Sequence, residues 1–209
     1  MTREAVVRAA AALCLLNAAI ICMANPAVAN PVLHLRATEY YTALETDYPA
    51  GHSAAFVALN GSVLYRGSRA FHDAATTEGS ARIRDGAVIN LTGDGTTRWR
   101  YTSATYGLAT NDCPLVPFRS VAIDPAIVPL GSRIRIAETV GMPLPGGGTH
   151  DGIWLATDAG PQIAGDRIDL FVGAGLASLE TLQRFGIRNL QPLTVEILGP
   201  GPSCADTAK

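Results

Sequence analysis

Short runs of alternating apolar and polar residues, each closed by Gly or Pro, recur along the chain and restrict what it can fold into. They are Ala54 to Leu59, Ser62 to Arg66, Ala87 to Leu91, Ser132 to Ala137, Ile153 to Thr157, Arg167 to Val172 and Leu193 to Leu198. A period of two sends alternate side chains to opposite faces, so each run reads as a strand with one buried face. Many short strands between turn residues are the pattern of a closed barrel. One stretch alone shows helical spacing, with Leu176, Leu179, Leu182 and Phe185 on one side and Gly186 as its stop. It is expected as a short C-terminal helix covering a barrel opening. The Gly- and Pro-rich stretch from Gly141 to Asp151 is expected to be a long loop bordering a cleft.

The first 29 residues read as an export signal. Arg3 and Arg8 precede a mostly apolar run from Ala9 to Met23, and Ala27-Val28-Ala29 supplies small residues for cleavage. That run is shorter than the roughly 20 residues of a spanning helix, and Asn17 interrupts it. The mature chain is expected to start at Asn30 and to be a soluble monomer without stable membrane insertion. Its length suits one domain with an ample core. Lys209 is the only lysine, which excludes Schiff-base chemistry and a phosphate-loop lysine. A net charge of −2 and the lack of a basic cluster argue against a nucleic-acid partner. Cys113 and Cys204 remain after signal removal, and an oxidising compartment favours pairing them. The resulting loop of about 90 residues would contribute roughly 4 kcal/mol through chain entropy.

Three aspartates stand out. In Arg167 to Val172, Ile168, Leu170 and Val172 share one face, while Arg167, Asp169 and Phe171 share the other. An acid in mid-strand beside an aromatic is poorly explained by strand propensity, and an apolar neighbour raises its proton affinity. Asp158 ends a strand run before Ala159-Gly160. Asp124 ends Val121 to Ile123 and precedes Pro125. Asp before Gly or Pro also commonly starts turns through its own backbone, which is the bland alternative for both. His34, His52, His72 and His150 lack ligand spacing, and neither a metal nor another cofactor is called for.

The stretches SVAIDPAIVPLGSRIRI, HDGIWLATDAG and PQIAGDRIDLFVG resemble the 3D domain, named for three aspartates, of lytic murein transglycosylases and related cell-wall proteins. The likeness is closest over Ser120 to Gly173. It implies a mainly β fold, a double-psi β-barrel with a six-stranded core. Residues 30–119 would form an N-terminal β elaboration and the start of the barrel, 120–198 the barrel core and 199–209 a flexible tail. The resemblance places Asp169 on the family's proposed catalytic acid, with Asp158 and Asp124 on its two companions. Thr105 and Tyr106 fall where family members line the cleft. Pro161 and Ala164 depart from the family's pattern, which has Gly and Lys there. Arg167, on the face of Asp169, is the candidate substitute for the missing cation.

The implied partner is the glycan strand of peptidoglycan, and the implied location is the bacterial periplasm or exterior. The implied reaction cleaves the bond between N-acetylmuramic acid and N-acetylglucosamine and closes a 1,6-anhydro ring. One carboxyl suffices for it, first protonating the glycosidic oxygen and then taking the proton of the sugar's C6 hydroxyl. Two alternatives stay open: a barrel that binds cell-wall glycan without cleaving it, and an inverting hydrolase using two aspartates.

Overall fold

The computed structural model describes residues 29–203. All but the last residue of the expected signal, and Cys204 with the residues after it, lie outside them. Eleven strands follow in order: β1 Val32–Leu44, β2 Ala54–Val57, β3 Val63–Gly67, β4 Ser80–Arg82, β5 Val88–Leu91, β6 Trp99–Thr102, β7 Ser120–Ile123, β8 Ser132–Ile136, β9 Ile153–Asp158, β10 Arg167–Ala174 and β11 Pro192–Pro200. Two α-helices join them, α1 Arg69–Glu78 and α2 Glu180–Arg184. A 3-10 turn, Leu176–Leu179, leads into α2, which is the short helix expected near the C-terminus.

Six strands close into a mixed barrel in the order β10-β7-β9-β8-β11-β1, with β1 returning to pair with β10. The six-stranded barrel implied by the resemblance is therefore present. Its interior comes from the period of two: Ile134 and Ile136 of β8, Ile168 and Leu170 of β10, and Leu193 and Val195 of β11 are all fully buried. Burial of each such side chain contributes about 1.5–3 kcal/mol relative to exposure. Trp154 of β9 joins them, its Nε1 donating to Thr139 Oγ1 at 3.0 Å and its indole stacking on the buried His150 at 4.7 Å. His150 is a packed core histidine, with Nδ1 accepting from the Gly152 N–H at 2.8 Å.

The barrel's sixth strand, β1, lies far upstream of the others in sequence. It pairs in parallel with β10 and antiparallel with β11, then runs on so that Ala43 and Leu44 pair with β4. The chain thereby leaves the barrel, builds β2 to β6 and α1, and re-enters at β7. Strands β4, β5 and β6 extend the sheet from β1, while β2 and β3 form a separate hairpin.

Helix α1 was not expected from hydrophobic spacing. It shows ordinary boundary chemistry: Ser68 accepts from the Phe71 N–H through its hydroxyl, and Gly79 ends the helix at φ 79°. Only Phe71 and Ala75 of the helix are fully buried, so the apolar stripe is too narrow to announce it. β1 was likewise hidden, because Glu39, Tyr40, Tyr41 and Thr42 break its alternation with side chains that are all at least partly buried.

Candidate functional site

Register across the barrel wall brings two of the three aspartates together. Thr38 of β1 pairs with Asp169 of β10, Asp169 with Ala122 of β7, and Ala122 with Asp158 of β9. Asp169 and Asp158 thus stand two strands apart on one row, with Cα atoms about 10 Å apart from strand spacing. The face they share is the outer wall, as alternation in Arg167 to Val172 predicts for Asp169; Asp158 reaches it through the register shift that sets Ala156 opposite Val121 but Asp158 opposite Ala122. There Phe171, Tyr40 and Ala122 form a second buried cluster with Ala109, Cys113 and Leu115, separate from the barrel core. The Phe171 ring lies 5.1 Å from that of Tyr40 and 6.0 Å from that of Tyr106.

The two carboxyls have different surroundings. Asp158 accepts from the Tyr40 hydroxyl at 3.1 Å, from the Thr110 N–H and hydroxyl at 3.0 Å each, and from the Ala159 N–H at 2.9 Å. Burial raises its proton affinity, and these donors pull it back. Both oxygens are committed to holding the Thr110 loop and Tyr40. Asp169 has no such set of donors. Its Oδ1 is buried without a hydrogen-bond partner. Desolvation pushes its pKa up to about 6, opposed by the Thr38 hydroxyl and the Arg167 charge and assisted by the negative charges of Asp158 and Glu39. Burial and both aspartates also push the Tyr40 phenol well above its ordinary value, so it remains a donor.

Asp124 follows β7 directly, two residues beyond Ala122, and has partners of its own. It accepts from the Ala126 N–H at 2.9 Å and the Gly165 N–H at 2.7 Å, which hold its carboxyl below the usual range. It closes the turn at Pro125 and ties down the loop leading into β10. Arg167 Nη2 donates to Thr38 Oγ1 at 3.3 Å, which places it beside Asp169.

Thr105 and Tyr106 sit on a loop clamped from several sides. The Thr42 hydroxyl donates to the Tyr106 carbonyl at 2.5 Å, and Arg82 Nη2 donates to the Thr105 carbonyl at 2.5 Å. The buried Asn90 of β5 accepts from the Leu108 N–H at 2.7 Å and donates to the Leu108 carbonyl at 3.2 Å. Gly107 packs so closely that a Cβ there would come within 2.4 Å of Ser80 Cβ, at a φ of 97°. Thr105 is exposed and Tyr106 half-buried. Tyr106 lines a cleft of about 920 Å³ together with Gly173 and Phe185 and with Leu144 and Gly146 of the Gly- and Pro-rich loop. Neither Asp158 nor Asp169 lines this cleft. Cys113, buried in the same outer cluster, is disulfide-bonded; its expected partner Cys204 lies outside the described residues.

Residues 119–186 match the family model described as the 3D domain. This stretch is similar to the 3D domain. It supplies Asp124, Asp158, Asp169 and Arg167, whereas Tyr40, Thr105, Tyr106 and Thr110 reach the site from outside the 3D domain. No curated protein sequence matches the chain. Among solved structures, the chain is similar to E. coli MltA with bound chitohexaose at 17% identity and a TM-score of 0.58, over 81% of this chain and 72% of that one. A membrane-bound lytic murein transglycosylase from Agrobacterium tumefaciens is matched at 16% identity and a TM-score of 0.48, over 80% of this chain and 73% of that one. The likeness to the E. coli structure is one of fold.

Tyr40 and Thr110, which bond Asp158, and Glu78, which bonds the backbone of Tyr41, are groups that sequence spacing missed. Tyr40 and Thr110 belong to stretches without alternation. Glu78 is the last residue of α1, where its Oε2 accepts from the Tyr41 N–H at 3.1 Å.

Proposed function

We propose that the chain is an exported, lytic transglycosylase-like enzyme acting on the glycan strands of bacterial peptidoglycan. Asp169 is the acid. The observation that carries this reading is the contrast between the two carboxyls that the 3D domain brings onto one row: Asp158 saturated by four donors, Asp169 desolvated with a bare oxygen.

Asp169 would protonate the oxygen between the sugars as the bond to C1 breaks. The C6 hydroxyl of the same sugar then bonds to C1, and its proton goes to a carboxylate, leaving a 1,6-anhydro end. An ordinary Asp titrates near 3.9 and would be almost wholly ionised at neutrality. A pKa of about 6 keeps a working fraction protonated there. Asp158 would act as a positioning residue, fixing Tyr40 and the Thr110 loop against the acid. Thr105, Tyr106 and Arg167 would contact sugar, with the Tyr106 ring offering an apolar face in the cleft. Asp124 would brace the loop before β10.

An inverting hydrolase needs a second carboxylate free to activate water. Asp158 has no uncommitted oxygen for that role, so the transglycosylase reading is preferred over the two-aspartate one. Steady-state cleavage of purified glycan strands by wild type and Asp169→Asn tests the assignment. The substitution is expected to lower kcat at least about 100-fold, in line with loss of a general acid. Undiminished turnover would remove Asp169 from the mechanism.

A further inference from the structure

Glu78 is unfavourably placed for its own helix. It ends the ten-residue α1, where the exposed carbonyls make the helix terminus negative, and the last turn carries no basic residue to offset it. A carboxylate there is unfavourable by roughly 0.3–1 kcal/mol, and Gly79 with its φ of 79° already ends the helix without help.

Its position is set by the one irregularity in the β1–β10 pairing. The register slips between Tyr40 and Thr42: Tyr40 stands opposite Phe171, but Thr42 opposite Ala174. At that slip the Tyr41 N–H points to Glu78 Oε2. Such irregularities re-aim groups near active sites. Tyr40, next along β1, holds Asp158, and Thr38 stands opposite Asp169. Glu78 Oε1 takes no hydrogen bond among the described residues, and it is not sealed from solvent. We propose that Glu78 is a second acid–base carboxyl of this site, delivered by the inserted segment rather than by the 3D domain.

Electrostatics agree with the placement. Burial pushes the Glu78 pKa up to about 7, opposed by the Tyr41 N–H and assisted by the negative charge of Asp169. The other titratable groups around the two carboxyls are Tyr40 and Tyr41 on β1 and Tyr48 after it, all raised, Glu39 on β1, Arg167 on β10 and Asp158 on β9. With Asp169 at about 6 and Glu78 at about 7, the two carboxyls lose their protons in turn as pH rises. Between those steps the pair holds one proton and one negative charge, which is an acid and a base at once.

The chemistry balances on that inventory. One member gives its proton to the glycosidic oxygen as the C1–O bond breaks. The attacking C6 oxygen bonds to C1, and its proton passes to the pair, which again holds one. This role rests on the proposed function, since it needs Asp169 at the reaction centre.

Carboxyl carbon NMR titration separates the two claims, because it needs no substrate. Glu78 is expected to titrate near 7 in the wild type, with a midpoint that falls in Asp169→Asn once the neighbouring charge is gone. A Glu78 midpoint near the ordinary 4.3, or one that Asp169→Asn leaves in place, overturns the inference. Glu78→Gln keeps an acceptor for the Tyr41 N–H. On glycan strands it is expected to lower kcat at least tenfold with KM within about twofold, and to change the pH profile. Turnover by Glu78→Gln equal to wild type overturns the role as well. A wild type that cleaves nothing while Glu78 still titrates in step with Asp169 would sink the proposed function and leave the carboxyl pair standing.

Discussion

At the scale of residues, one row of the barrel wall holds two carboxyls of the same type in opposite conditions. Asp158 is rich in donors and serves as a clasp; Asp169 lacks them and retains its proton to higher pH. That retention has a cost in stability with a definite sign. The folded pKa of Asp169 is about 6 and the unfolded value about 3.9, so the folded state binds the extra proton between them. Its contribution is fully present below about pH 4 and is lost as pH rises through about 6. Asp169→Asn never carries the charge. It is therefore expected to unfold at higher temperature than wild type at pH 8, by the equivalent of roughly 1–2 kcal/mol, and to lose that advantage at pH 4. Thermal unfolding of both proteins at the two pH values checks this, and an advantage that does not vary with pH would deny the buried anion.

At the scale of elements, the loop bearing Thr105 and Tyr106 owes its place to Asn90, Thr42 and the missing side chain of Gly107. Gly107→Ala would drive a methyl into Ser80 and Asn90 at a φ of 97°, and is expected to destabilise by about 2–3 kcal/mol while weakening glycan binding. Gly146→Ala, which meets nothing within 4 Å, is the neutral comparison in the same melting experiment. The same contrast marks what the sequence made legible. Strands that alternate cleanly, such as β8 and β10, were readable because one face is core and the other is not. The outward aspect of Asp169 followed from that alternation alone. β1 was not readable, because its middle is buried on both sides by Tyr40 and Tyr41, one against the outer cluster and one against the barrel core. α1 lacked a wide apolar stripe, although Ser68 and Gly79 bracket it. The clasp on Asp158 joins residues 118 and 48 positions apart, which no local spacing reveals.

At the scale of the whole molecule, the stretch matching the 3D domain supplies the proposed acid but not the whole of the proposed site. β1 closes the barrel beside β10, and the segment between β1 and β7 brings Tyr106 and Thr110 to the outer wall. Departures within the domain, Pro161 and Ala164, leave the row from Thr38 to Asp158 intact. What the assembled site makes from peptidoglycan is the most direct test. Mass spectrometry of the material released from purified peptidoglycan by the wild type is expected to show muropeptides ending in 1,6-anhydro rings. Fragments with free reducing ends, or the absence of any released fragment, would contradict it.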